Sequence, residues 1–346
     1  MSDISGFDPN SIGLNSNNIF GLPFGIEEAQ LVLLPVPWEV TVSYRTGTAS
    51  GPDFIYESSL QVDLFDPDAP GAWQKGYYML PLAANIIEMN DNLREKAERI
   101  LDAMAEGIKI SSDDGLTLDL LQVNTGCAVM CDWVYDKTME LIKSGKKVGL
   151  IGGDHSTPLG YIQALASWHS DFGILQIDAH ADLREAYEGF TYSHASIMYN
   201  VVNEVPEVSK LVQVGIRDYC DDELAVIKQS NGRITTFFDA DIKAEQYEGA
   251  TWKHICNQII SQLPQKVYIS FDIDGLDPKL CPNTGTPVPG GFETEQIYYL
   301  LRLLKQSGRE IIGFDLNEVS VGEVGEGIDS ITGARVLYKL CNVLMG

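Results

Sequence analysis

Short apolar runs and longer amphipathic ones alternate along most of the chain. The short runs fall at 31–36, 147–151, 173–177, 211–214, 234–237, 267–271 and 311–314, and several are apolar nearly throughout. Strands covered on both faces have this pattern, because neither face meets water. The longer runs, with apolar positions at helical spacing, lie near 83–107, 125–144, 157–170, 219–229, 252–263, 293–307 and 329–344. Such alternation predicts an α/β fold, a mostly parallel sheet with helices on both sides. Gly308 after the run at 293–307 is a helix-stop signal, whereas Gly333 inside the last run weakens its early turns. Residues 61–82, rich in Asp, Pro, Gly and aromatics, read as a surface excursion, and 1–30 as an N-terminal extension. No repeat or linker divides the chain, so 1–346 reads as a single domain.

Composition adds exclusions. Acidic residues outnumber basic ones 49 to 24, for a net charge of −25. That field repels phosphate backbones and anionic lipid, which disfavours nucleic-acid and membrane partners, and it attracts cations. A solvated acidic surface that merely aids solubility would look the same. The first ten residues have no basic or apolar leader pattern, and no stretch reaches the length of a membrane span, so a cytoplasmic location is expected. Six cysteines are sparse, and Cys127 with Cys131 have no second pair at zinc-ribbon spacing; they read as reduced core thiols.

Ligands of parallel α/β sheets bind beyond the carboxyl ends of the strands, which makes the residues after each apolar run the ones to inspect. Three such ends are rich in metal-ligating types: Gly152-Gly153-Asp154-His155-Ser156, Asp178-Ala179-His180-Ala181-Asp182, and the stretch 270–278 with Asp272, Asp274 and Asp277. In extended backbone, residues i, i+2 and i+4 point to one side, so Asp178, His180 and Asp182 can converge, as can Asp272 and Asp274. Several like-facing carboxylates near a core are costly without a cation, and a divalent metal offsets their charge directly. Carboxylate and imidazole without thiolate suit Mn²⁺ better than structural zinc, and two ions are needed to use all the ligands. The plainer alternative makes these strand-end aspartates helix caps and the histidines satisfied polar core. Three clusters at successive strand ends speak against it.

These three blocks, in this order, resemble the signature blocks of the ureohydrolase (arginase/agmatinase) family. Supporting similarity runs from about Leu33 to the C-terminus and includes Gly47-Thr48-Ala49-Ser50-Gly51-Pro52, Thr284-Gly285-Thr286-Pro287 and Asp315-Leu316-Asn317-Glu318-Val319-Ser320. The resemblance implies a three-layer α/β/α sandwich with about eight strands, and two Mn²⁺ per subunit, with Ni²⁺ as the alternative. It places one metal on His155, Asp178, Asp182 and Asp272, and the other on Asp178, His180, Asp272 and Asp274, with Asp178 and Asp272 bridging. Such a pair lowers the pKa of a shared water for attack on a guanidino carbon. By the same resemblance Glu318 hydrogen-bonds the guanidinium nitrogens and His194 relays protons to the leaving amine. Asp182 joins these two among the catalytic residues. His169 and His254, on helical runs away from strand ends, read as structural. Relatives form trimers or hexamers, so a homo-oligomer is implied.

The metal blocks do not discriminate among agmatine, arginine, guanidinobutyrate and guanidine, which share the reacting group. Arginine-specific members place asparagine two residues after the last aspartate of the second block; this chain has Arg184. The stretch from Asp182 to Ala195 is similar to some agmatinases, and a small cationic guanidino substrate, agmatine first, is expected. The excursion near 61–82, the Trp38-Glu39 pair and Asn317 depart from agmatinases, which keeps guanidine as the competitor. A non-enzymatic homologue that retains only the fold and a metal is the reading from another class; a complete ligand set argues against it.

Overall fold

The structure is a computed structural model that describes residues 6–11, 18–322 and 327–346. Eight strands form one sheet: β1 (Leu31–Val36), β2 (Tyr77–Met79), β3 (Lys147–Gly152), β4 (Phe172–Ile177), β5 (Val208–Ile216), β6 (Ile234–Phe238), β7 (Lys266–Asp272) and β8 (Glu310–Asn317). Every neighbouring pair is parallel, in the order β2-β1-β3-β8-β7-β4-β5-β6. β1 and β4 are buried at every residue, as expected of strands sandwiched between helices.

Among the described residues ten helices cover the two faces: α1 (Gly51–Ser59), α2 (Ala84–Ala105), α3 (Asp114–Lys143), α4 (Leu159–Trp168), α5 (Ile197–Glu204), α6 (Asp221–Gln229), α7 (Asp239–Tyr247), α8 (Trp252–Ser261), α9 (Thr294–Gln306) and α10 (Ile328–Met345). Alternate strand residues feed two separate cores. Leu31 and Leu33 belong to the core that also takes in Ile55, Ile242, Ile255, Leu300 and Leu337 of α1, α7, α8, α9 and α10. Val32 and Leu34 pack with Ile86, Met130, Ile162 and Val201 of α2, α3, α4 and α5. This is the three-layer α/β/α sandwich. Gly333 lies inside α10, where a Cβ would come within 3.1 Å of both Val319 methyls, so the glycine lets the helix approach the sheet. Among the described residues no helix is long and apolar enough to cross a membrane.

Two expectations change. Part of 61–82 is not surface: Tyr77–Met79 adds the edge strand β2 beside Leu31–Leu33, and Leu64, Trp73, Tyr77 and Met79 are buried. Phe65 in the same stretch is 76% exposed, so the excursion is confined to part of it. Likewise the N-terminal extension contributes Ile19, Phe20, Leu22 and Phe24 to the core; residues 1–5 and 12–17 lie outside the described residues. A three-residue strand and a coiled segment are too short to print any period. The same holds for α1, α5 and α7, which the pattern did not predict; α7 buries only Asp239 and Ile242. α3 starts at Asp114 rather than near 125, with Asp113 capping it through the amides of Gly115 and Leu116. Its first turns leave Leu118 and Leu121 exposed, which erases the amphipathic signal there.

Candidate metal centre

In the sheet order, β3, β8, β7 and β4 are neighbours, so the residues after them form one continuous rim. The β3 end turns sharply. A Cβ at Gly153 would lie 1.9 Å from the Trp38 carbonyl oxygen, which accepts the Asp154 N–H at 2.8 Å. Asp154 Oδ1 accepts from the amide and hydroxyl of Ser156, closing the turn that presents His155. At the β4 and β8 ends, Asp182 (φ 55°) and Glu318 (φ 64°) take left-handed backbone that residues with a Cβ avoid at a cost of about 1 kcal/mol or more.

The predicted ligands come together. His155 Nδ1 faces Oδ2 of Asp178 at 3.1 Å, of Asp182 at 3.1 Å and of Asp272 at 3.3 Å. His180 Nδ1 lies 3.0 Å from Asp274 Oδ2 and 3.7 Å from Asp178 Oδ1. Two groups result, His155 with Asp178 and Asp182, and Asp178 with His180 and Asp274, and in each the ligand atoms lie within 4.8 Å of one another. Asp178 is common to both, one oxygen towards each. Asp272 offers Oδ2 to the first group, while its Oδ1 accepts the Asp274 amide at 2.8 Å. Among the described residues, buried His155 Nδ1 and Asp274 Oδ2 make no hydrogen bond. One unpaired lone-pair atom in each group, among nitrogen and carboxylate oxygen ligands only, fits a borderline divalent ion at each.

The electrostatics agree. Burial raises the Asp272 carboxyl well above its usual range, helped by Asp274 and Asp178, and burial with Asp178 pushes Asp182 up to about 7. Burial opposes charge on His155, yet the Asp178, Asp182 and Asp272 carboxylates around Nδ1 lift its pKa well above that of free histidine. Negative charge in excess of the available protons is what a cation would relieve. The remaining ring nitrogen of His155, Nε2, sits 2.9 Å from Ser270 Oγ, which bonds Asp315 Oδ1 at 3.0 Å. A metal-bound histidine is held by such partners.

Glu318 is buried, and its Oε1 accepts the His155 N–H at 2.9 Å. Its pKa is raised well above the carboxylate range, by burial first and then by Asp154. His194 opens a short 3-10 turn before α5, its amide 3.4 Å from Thr41 Oγ1. Burial and the neighbouring His180, His155 and Arg94 push its pKa down to about 3, so the ring is neutral at ordinary pH. Both line a cavity of about 370 Å³ together with His155, His180, Asp182 and Asp272. Its outer part is formed by Tyr44, Arg45, Arg184, Tyr187, Asp218 and Tyr219. Arg184 stacks 4.8 Å over Tyr187 and its Nε lies 3.8 Å from Glu223 Oε2. A larger hollow of about 650 Å³ beside β2 contains no histidine and only Asp53 as an acid. His169 and His254 stay away from the site, His169 beside Lys266 Nζ at 3.1 Å and His254 in the first turn of α8. The sequence did not single out Ser270 or Asp315 as partners of His155, although Asp315 interrupts an otherwise apolar strand run, which was the available signal.

Comparison with known proteins decides the family. A profile described as the arginase family matches residues 29–342. The chain belongs to the arginase family. It is a hydrolase acting on amidino C–N bonds, with His and Asp groups placed to bind metal. Arginase-family relatives include the N(1)-aminopropylagmatine ureohydrolase of Thermus thermophilus, 29% identical over 90% of this chain and 89% of that protein. The agmatinase of Neisseria meningitidis serogroup C is 25% identical over 98% of this chain and 96% of its own. Among solved structures, the agmatine ureohydrolase of Thermoplasma volcanium superposes with a TM-score of 0.72 at 21% identity, over 96% of this chain and 95% of that one. The fold is thus the arginase fold.

Proposed function

We propose that the protein hydrolyses agmatine or a close agmatine derivative to urea and an amine, with two Mn²⁺ ions. The supporting observation is a single cavity that joins the His/Asp cluster and Glu318 to an outer chamber large enough for a tail. Guanidine alone would leave most of its 370 Å³ to water, which costs nucleophile exclusivity and binding. The agmatine-type names of long-matching relatives point the same way.

In this reading His155, Asp178, Asp182 and Asp272 hold one ion, and Asp178, His180, Asp272 and Asp274 the other. When bound, the pair supplies a Lewis-acid centre that activates water. Glu318 keeps one oxygen on the His155 amide and offers the other to the guanidinium nitrogens, which fixes the planar group against rotation. His194 lines the same cavity, where its ring is placed to pass a proton to the leaving amine. Exposed Asp218 supplies a carboxylate at the mouth for the tail ammonium. The two arginines there favour a carboxylate tail, as in guanidinobutyrate, but Arg45 is committed to the Pro282 carbonyl and Arg184 faces Glu223. Homo-oligomeric assembly and a cytoplasmic location complete the proposal by family resemblance.

The test is purified protein reconstituted with Mn²⁺ or Ni²⁺ and given agmatine, guanidine, arginine and guanidinobutyrate, with urea measured. Urea is expected first from agmatine. Release from guanidine and none from agmatine under either metal would overturn the substrate.

A further inference from the structure

We infer that Asn317 is a positioning residue of the metal centre, holding the Asp315 carboxylate through which Ser270 fixes the His155 ring. This role rests on the proposed ligation by His155.

Asn317 closes β8 opposite Asp272 of β7, and its side chain is fully buried. A buried amide must find partners, and this one finds two of opposite kind. Its Nδ2 donates to Asp315 Oδ1, and its Oδ1 accepts from Thr157 Oγ1 at 2.8 Å. The direction follows from chemistry, because an ionised carboxylate only accepts, so the amide must turn its N–H groups to Asp315. The Thr157 hydroxyl, itself fully buried, then locks the amide the right way round.

The chain of donors continues. Asp315 Oδ1 also receives Ser270 Oγ at 3.0 Å and the Phe271 amide at 3.3 Å. Ser270 has one hydrogen, and it is used there. Towards His155 Nε2, 2.9 Å away, its oxygen is therefore the acceptor, which puts the imidazole proton on Nε2. Nδ1 keeps its lone pair, aimed at the oxygens of Asp178, Asp182 and Asp272. That is the tautomer a ligand needs.

A separate mark of the arrangement is written into β3. A Cβ at Gly152 would lie 1.8 Å from Asn317 Oδ1 and 2.3 Å from Thr157 Oγ1. The first glycine of the Gly152-Gly153-Asp154-His155 stretch thus makes room for the Asn317–Thr157 hydrogen bond. An apolar side chain at 317 would take a donor from Asp315 and free the carboxylate to swing away from Ser270, while the Thr157 hydroxyl would keep only the Asp154 carbonyl, 3.1 Å away.

His155 serves only one of the two ligand groups, so the effect falls on one ion. Mn²⁺ affinity is measured by chelator competition on wild type, N317L, T157V and T157S, with melting temperature recorded beside it. The expectation is that N317L and T157V weaken one Mn²⁺ by about tenfold or more, leave the second within about twofold, and that T157S, which keeps the hydroxyl, recovers it. Should N317L fail to fold, the T157V and T157S pair decides. Two ions bound as in wild type by both variants, or equal loss of both ions in step with melting temperature, overturns the role. Wild type that binds no divalent ion overturns the metal reading itself, and this role with it.

Discussion

Asp182 and Glu318 both sit in left-handed backbone, and both face the same cavity. Strain of that kind persists where surrounding contacts fix it, here the Asp182 carbonyl on the amides of Met198 and Tyr199 and the Glu318 amide on Gly153. Between them lies Asp272, whose two oxygens serve the His155 side and the Asp274 amide. Asp272→Asn keeps the size and removes the charge. It is expected to lower metal content and urea release together, the latter by about 10² or more, the scale of a lost transition-state stabiliser. Full turnover by that variant would remove the bridging assignment. At this scale the sequence named Asp178, His180 and Asp182 correctly as neighbours, but the backbone bends at Ala179 and turns left-handed at Asp182, so His180 and Asp182 fall in different groups rather than on one extended face. The sequence singled out Asn317 as unusual but gave no partner for it or for Asp315, because Ser270 and Thr157 are 45 and 160 positions away in the chain.

Among the elements, the loop over 39–49 shapes the cavity mouth with Tyr44 and Arg45, and it is tied from two sides. Glu39 Oε2 accepts from the amides of Gly47 and Ala49 and the Thr48 hydroxyl, which explains the acid beside Trp38. Arg94 of α2 caps the carbonyls of Glu39, Val40 and Val42. Arg94→Ala should loosen the mouth and raise KM for agmatine by about tenfold, the scale of one or two lost hydrogen bonds to a charged group, with kcat changed less. A kcat loss at constant KM would contradict a mouth role. On the far side, Lys339 of α10 anchors the 62–71 stretch through Asp66 and Asp68, and Arg302 adds to Asp68. Burial works against the Asp68 charge, but the hydrogen bonds from Lys339 and Arg302 win and hold its pKa below the usual value. Its contribution is therefore present above the unfolded-state value near 4 and fades as pH falls through the lower folded one. Asp68→Asn is expected to lower stability by about 0.5–1 kcal/mol at pH 7, with the gap from wild type closing as pH falls through the lowered folded-state value in urea titrations. The long strands and helices were legible from their periods, whereas β2, α1, α5 and α7 were not, being short and fixed by what they pack against.

For the molecule as a whole, a net charge of −25 and a buried cluster of acids predict that cations stabilise the folded state. An ion that binds only the folded chain stabilises it by about 2.7 kcal/mol at a hundred times its Kd. Chelator dialysis should lower the melting temperature by roughly 3–8 °C and abolish urea release, and Mn²⁺ should restore both. Unchanged melting on metal removal would contradict a folded-state ion site.

The position of β8 in the sheet reaches beyond the site. It is the last strand made, yet it alone joins β2-β1-β3 to β7-β4-β5-β6. Without β8, the half that carries His155 and the half that carries the aspartates share no strand pairing. The ligand set is therefore expected to assemble only once β8 is seated between them.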